Sequence, residues 1–405
     1  MKILVVNCGS SSIKYKLFDV GHRQVLASGL AEKIGETGSI LTHRYMTAAG
    51  EEKKYVEQNR IADHHEGLQR IVDLLLDPQK GAIASRSEIT AVGHRVVHGG
   101  DTFHEPTLVD DKVIADIEAC IPLAPLHNPA NLMGIRVARK LFPGAPQVAV
   151  FDTAFHQSLP VEAHLYAIPF ELHQKYKIRR YGFHGTSHAF VAQEAAAYLK
   201  HPLAELNLIT LHLGNGASMA AIAGGRSIDT TMGLTPLAGL VMGTRSGDVD
   251  PSVLLFLANH ENMSAEALDE LLNKKSGLQG LCGVNDMREV IEKMEAGDRR
   301  AETALAVFTY RIKQYIGAYT ACLGRVDALI FTAGIGENAP LVRERACQGL
   351  EGFGIAIDSQ RNRQHADGIR VVSAADSRVK VLVVPTNEEL RIAQETKQAV
   401  EMRAG

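Results

Sequence analysis

Residues 3–20 read ILVVNCGSSSIKYKLFDV, and residues 208–222 read LITLHLGNGASMAAI. Each is an apolar run, a turn of small polar residues, and a second run. In the first stretch Ile13, Tyr15 and Leu17 alternate with Lys14 and Lys16, the period of two that a half-buried strand requires. A strand–turn–strand unit that occurs twice suggests two similar halves, each turning backbone N–H groups toward an anion. Two tight hairpins that need glycine for their turns fit the same spacing. The first turn carries Asn7, Ser10, Ser11, Ser12 and Lys14; the second carries His212, Asn215 and Ser218. A serine run is ordinarily a solvated turn, but a lysine just beyond it adds a point charge suited to phosphate. The chain has no Gly-x-x-x-x-Gly-Lys-Ser/Thr sequence, so a nucleotide site here is not of the P-loop type.

Outward from these stretches, strand-like runs recur at residues 91–97, 147–151, 328–332 and 379–384. Helical spacing appears at Leu68, Ile71, Val72 and Leu75, at Val113, Ile114 and Ile117, and from Leu305 to a stop at Gly324. The class is therefore α/β. The 405 residues suggest two domains, with a weakly marked boundary near Phe151. Composition is ordinary for a globular protein, at 45% hydrophobic and 22% charged. A net charge of −3 argues against a general nucleic-acid binder. No apolar run approaches the roughly 20 residues of a membrane helix, and the first residues enter a strand without a signal-peptide layout. Five scattered cysteines without a Cys-x-x-Cys pair read as reduced thiols of a cytoplasmic protein.

Other motifs compete. Gly334-Ile335-Gly336-Glu337-Asn338-Ala339 follows an apolar strand, and Asp358 stands about 20 residues on, as in a dinucleotide fingerprint. Against a dehydrogenase, the motif sits late in the chain and Glu337 would face a pyrophosphate. His94 and His98 share a strand face but stand about 13 Å apart, too far to grip one zinc. His184 and His188 are better spaced if helical, but Gly185 interrupts that reading, which leaves His188 an ordinary polar residue near a helix start. No tightly held zinc is expected. Arg95 and Arg245 each lie beside glycines, at the ends of apolar stretches.

The segments NCGSSSIK, GHRVVHGG, APLHNPAN, FDTAFHQSLP, RRYGFHGTSH, HLGNGAS, DTTMGLTPLAGLVMGTRSGDVDP, FTAGIGEN and PTNEELRIA together resemble the acetate kinase family, in order and over essentially the whole chain. The resemblance implies an α/β fold of two duplicated actin-like ATPase (ribonuclease H-like) domains with the nucleotide in the cleft between them. Domain I would comprise residues 1–150 plus 386–405, with the last helix returning to it; domain II would comprise 151–385, with the adenosine site and the dimer interface. The activity implied is reversible transfer of the ATP γ-phosphoryl group to acetate or another short carboxylate. Mg²⁺, with Mn²⁺ as a substitute, would accompany ATP/ADP, and members are usually homodimers. No nucleic acid or membrane partner is implied.

By the same resemblance, Asp152, His184, Arg245 and Arg95 are catalytic. Arg95, Val97, Leu126, His127, Phe183 and Pro236 meet the acyl substrate. Asn7, Ser10, Ser12, Lys14, His212, Leu213, Gly214, Asn215, Gly216, Asp286, Met287, Arg288, Gly334, Ile335, Gly336, Glu337 and Asn338 bind ATP. Asn7 and Glu388 help place the metal.

These residue types suit the chemistry. A carboxylate nucleophile is already ionised at pH 7, so the task is to align an anion against a triphosphate, which calls for fixed positive charge. Arginine supplies a planar, permanently charged fork. Asp152 could orient Arg95 or Arg245, act through Mg²⁺ or shuttle a proton; orientation is favoured. Thr386 followed by Glu389 reads as a capping box after Pro385, leaving Glu388 free for the metal. Propionate differs from acetate by one methylene, worth about 1–3 kcal/mol in an apolar pocket, so propionate kinase is the nearest alternative. A mechanical actin-like ATPase is the remote one.

Overall fold

The computed structural model describes residues 1–47 and 50–404. Ala48, Ala49 and Gly405, which belong to the expected first domain, lie outside the described residues. The chain divides into two compact units, residues 1–154 with 387–405 and residues 155–386.

The first unit is built on β1 (Lys2–Gly9), β2 (Ser12–Asp19), β3 (Gln24–Glu32), β4 (Ile40–Met46), β5 (Glu52–Glu57), β6 (Ile89–Val96), β7 (Thr107–Leu108) and β8 (Gln147–Phe151). In β2 the side chains of Ile13, Tyr15 and Leu17 are buried and Lys14 is exposed, as the alternation requires. β1 and β2 pair antiparallel with Asn7 opposite Lys14 and Gly9 opposite Ser12, leaving Ser10-Ser11 as the turn. β6 and β8 extend the sheet in parallel on the other side of β1.

The second unit contains β9 (Asn207–Leu213), β10 (Ala217–Ala223), β11 (Arg226–Thr230), β12 (Ala328–Thr332), β13 (Arg370–Val371) and β14 (Lys380–Val383). Its order is β11-β10-β9-β12-β14-β13, and the first sheet runs β5-β4-β3-β2-β1-β6-β8-β7. With β4 and β5 set aside, the two orders match strand for strand. In each, an antiparallel three-strand meander meets two parallel strands and an antiparallel edge strand. The echo between residues 3–20 and 208–222 is therefore one topology used twice.

The last helix, Glu388–Ala404, packs on β6 of the first unit. Close approach at Gly93 permits this: a Cβ there would stand 2.3 Å from Thr396 Oγ1.

Several local expectations are corrected. The helix after His184 runs from Gly185 to Leu199, so Gly185 opens it rather than breaking it. Its amide is one of the first four that an α-helix leaves unbonded in any case. Within the 334–339 motif, Ala333–Asn338 forms a short helix before the next begins at Pro340. Asp358, placed like a ribose-binding acid, instead caps the Ser359–Arg363 helix through the amides of Gln360 and Arg361. Finally, the capping box at Thr386 does not form. Asn387 caps the last helix, its Oδ1 accepting the Leu390 N–H at 3.2 Å. The Thr386 hydroxyl meets Ser187 Oγ at 2.8 Å, and Glu389 is turned to two lysines.

Candidate active site

In the first unit, Arg95 stands on β6 beside Val150 of β8, and Asp152 follows β8 directly. Adjacent parallel strands thus bring together groups that the sequence separates. Arg95 Nε lies 3.0 and 3.2 Å from the two Asp152 oxygens, and Nη2 lies 2.6 Å from Oδ2. Glu388 Oε2 is 3.9 Å from Arg95 Nε. Burial alone would lower the guanidinium pKa, but the Asp152 and Glu388 carboxylates outweigh it and raise it. Burial pushes the Asp152 carboxyl up while Arg95 opposes that push. With three charge-assisted hydrogen bonds, the pair is ionic at neutral pH. Of the two arginines weighed as partners of Asp152, Arg95 is the one it contacts.

The expected acyl-side residues of this unit vary in exposure. Val97 is buried, and its N–H donates to Asn131 Oδ1 at 3.1 Å. Leu126 is 60% exposed. His127 begins the Asn128–Leu141 helix and is close enough to Asp152 to stabilise its charge. Asn7, Ser10, Ser12 and Lys14 all lie on the first hairpin. Lys14 is ion-paired with Glu389 Oε1, and Lys16 meets Oε2 at 3.2 Å. The two lysines hold the Glu389 carboxyl below its usual range against its burial.

In the second unit the hairpin turn Gly214–Gly216 faces two side chains. A Cβ at Gly216 would stand 3.6 Å from both Arg245 Nη1 and His184 Nε2. Glycine therefore leaves open the space on which a guanidinium and an imidazole converge. Arg245 Nη1 donates to the Pro236 carbonyl at 3.2 Å and touches Met242 Sδ at 3.9 Å. Among the described residues no carboxylate lies within 4.0 Å of it. Burial lowers its pKa. Its segment is closed at the base by Asp248, whose Oδ1 accepts the Gly239 N–H at 2.7 Å. Phe183, also expected at the substrate, is buried.

His184 has φ 56° at the helix start, Nδ1 2.8 Å from Ser218 Oγ, and its ring stacked on His212 at 4.2 Å. His188 is fully buried between Thr210 Oγ1 at 2.7 Å and Ser218 Oγ at 2.8 Å. It is thus no ordinary polar residue of a helix start. Its pKa falls well below the usual value through burial and then through His156 and His212.

A cavity of about 1070 Å³ opens beside the turn. Gly214, Asn215, Asp286, Met287, Arg288, Gly334, Ile335 and Asn338 line it, whereas His212, Leu213, Gly216, Gly336 and Glu337 are not on its wall. Glu337 Oε1 accepts the Thr386 N–H at 3.2 Å. Asp286 caps the Met287–Glu295 helix and binds Arg288 through three side-chain contacts, the shortest 2.5 Å. That contact and the Arg288 N–H pull the Asp286 carboxyl down to about 2. Sequence reading misses Ile291 and Glu295 on the same wall. They follow Met287 at helical spacing, i+4 and i+8, so the period of the helix is the available signal.

Comparison with known proteins shows the family. Residues 2–394 match the model of the acetokinase family. The chain belongs to the acetokinase family. It is 53% identical to the acetate kinase of Desulfotalea psychrophila over 99% of this chain and 100% of that one. The crystal structure of Porphyromonas gingivalis acetate kinase superposes with TM-score 0.93 at 47% identity, covering 98% of this chain and 99% of that one. A propionate kinase from Francisella tularensis superposes with TM-score 0.91 at 42% identity, covering 98% and 99% respectively. For this acetokinase-family chain, the expected two-domain actin-like fold is borne out, and the dinucleotide fingerprint is set aside.

Proposed function

We propose that this protein transfers the γ-phosphoryl group of ATP to acetate, giving acetyl phosphate and ADP, reversibly. The observation that carries the reading is the convergence of Arg245 Nη1 and His184 Nε2 on the space left by Gly216. A carboxylate oxygen attacks the γ-phosphorus as the bridging bond to the β-phosphate breaks, and the bridging oxygen leaves with ADP. No general base is required, because the nucleophile is already an anion. Arg95, oriented by Asp152, holds the acetate carboxylate, with Val97, Leu126, Phe183 and Pro236 around its methyl group. Arg245 and His184 meet the charge on the transferring group. The 1070 Å³ cavity takes the adenosine, and the hairpin residues Asn7, Ser10, Ser12 and Lys14 meet phosphate oxygens.

Asn7 and Glu388 offer an amide oxygen and a carboxylate, the hard donors that Mg²⁺ prefers, so the residues present fit the ion. When bound it would neutralise phosphate charge. The expected cytoplasmic location and the homodimer belong to the same proposal. In support of a dimer, the apolar helix Pro251–His260 has no buried residue, and Leu255 and Phe256 are 66% and 56% exposed. A second copy would cover them. No helix among the described residues is long and apolar enough to cross a membrane.

The test is hydroxylamine trapping of acyl phosphate from ATP and Mg²⁺ with acetate, propionate or butyrate. Acetate is expected to give the strongest signal, lost without Mg²⁺. The likeness to a propionate kinase keeps propionate as the second reading, and a propionate preference would favour it. ATP hydrolysis with no acyl phosphate from any acid would overturn both.

A further inference from the structure

His184 and His188 meet the same hydroxyl, that of Ser218, at 2.8 Å each. A hydroxyl has one proton, so it donates to one ring and accepts from the other. The direction is set at the far end of the chain. Thr210 is fully buried on β9, and among the described residues His188 Nδ1, at 2.7 Å, is the partner of its hydroxyl. If His188 Nδ1–H donated to Thr210, the threonine proton would be buried without an acceptor, the costlier arrangement. Thr210 therefore donates to His188 Nδ1. His188 then carries its proton on Nε2 and donates to Ser218, and Ser218 donates to His184 Nδ1. That leaves the proton of a neutral His184 on Nε2, the nitrogen facing the Gly216 space beside Arg245.

We propose that the buried Thr210–His188–Ser218 chain fixes His184 as the neutral Nε2–H tautomer, so that His184 donates a hydrogen bond rather than a proton to the transferring phosphoryl group. His188 and Ser218 are then positioning residues of the reaction. The role rests on the phosphotransfer reading; the tautomer itself does not. Among the groups that face His184 are the His212 ring of β9, stacked at 4.2 Å, and Arg245 across Gly216. His188 faces it through Ser218 from its own helix. From the 154–158 segment, His156 donates Nε2–H to the Phe183 carbonyl at 3.0 Å, and burial lowers its pKa to about 4.

The first test is ¹⁵N spectroscopy of the full-length protein labelled at histidine, without substrates at pH 7.5, with His184 assigned by its loss in His184→Asn. A neutral ring protonated at Nε2 is expected; an Nδ1–H ring or an imidazolium would overturn the proposal. The second is kinetic. With the tautomer fixed, kcat of the native enzyme holds as pH rises from about 6 to 8, past the ordinary imidazole pKa. Ser218→Ala removes the donor to Nδ1, so the neutral His184 ring divides between its two tautomers and presents Nε2–H in only part of the population until it is protonated. The variant is expected to lose about twofold in kcat at pH 8, to recover toward pH 6, and to keep its KM for ATP. Ser218→Thr restores the hydroxyl and the flat profile. A Ser218→Ala profile parallel to the native one would overturn the positioning role. An Nε2–H ring in a protein that makes no acyl phosphate would support the chain of hydrogen bonds while removing the reaction it serves.

Discussion

Arg95 and Arg245 are the same residue type in two opposite electrostatic settings, one in each unit. Arg95 rises from a strand and is held by Asp152, with Glu388 at 3.9 Å. Arg245 lies on an irregular segment, held by the Pro236 carbonyl and the Met242 thioether. The first guanidinium is positioned at the cost of its charge, and two carboxylates already balance it. Among the described residues no carboxylate pairs with the second, which lies in a partly desolvated place where Coulomb interactions are stronger than in water. In the proposed reaction the balanced fork would meet the acceptor carboxylate, and the unbalanced one the phosphoryl group, whose equatorial oxygens carry charge in the transition state.

The sharpest break between the two comes from removing each. Arg245→Ala is expected to lower kcat by on the order of 10³ or more, by analogy with arginine fingers, with little loss of stability. Turnover assays beside thermal melts check this; a loss under about tenfold would mean that Arg245 does not face the phosphoryl group. Arg95→Ala adds a folding defect, because it strands the buried Asp152 carboxylate. Breaking a buried pair from one side costs about 3–5 kcal/mol. Denaturant melts should therefore separate the two variants, and equal stabilities would erase the contrast.

The contrast is legible only in part from the sequence. The paired hairpins can be read there because a period of two and glycine turns are local signals. Arg95 and Asp152 stand 57 residues apart, and nothing local pairs them; parallel β6 and β8 do. Resemblance names the residues, whereas only the fold shows which arginine is balanced. His188 is easily passed over because Gly185 looks like a helix breaker, although at the first helical position it costs little. Glu389 looks like half of a cap because Thr-x-x-Glu is a local pattern. Its actual partner Lys16 is 373 residues away in sequence, beyond any local rule.

Glu389 offers an intermediate effect on the Arg95 side. Two lysines depress its pKa in the fold, so its contribution is complete above the unfolded carboxyl range and is lost as pH falls through the lower folded value. Glu389→Gln should cost about 2 kcal/mol at pH 7, as expected for hydrogen bonds to charged groups, and the difference from the native protein should shrink on acidification. A stability gap that stays constant from pH 7 down to about 3 would separate Glu389 from the lysines.

The smallest effect tests how Glu388 reaches Arg95. Asn387 Oδ1 caps the last helix at the Leu390 amide, which sets the register placing Glu388 first in the helix and Glu389 toward the lysines. Asn387→Ala should cost about 1 kcal/mol in stability, the ordinary worth of an N-cap. Thr386→Ala removes a hydroxyl that meets Ser187 rather than the helix, so its effect should not include a capping loss. The register also binds the cap to chemistry, since a frayed first turn lets Glu388 drift from Arg95 Nε. Asn387→Ala is therefore expected to raise the metal concentration needed for half-maximal turnover about twofold to threefold, leaving the Arg245 side untouched. If Thr386→Ala instead shows the capping loss and Asn387→Ala does not, the helix begins in the other register, and the balance around Arg95 must be redrawn with Glu389 in place of Glu388.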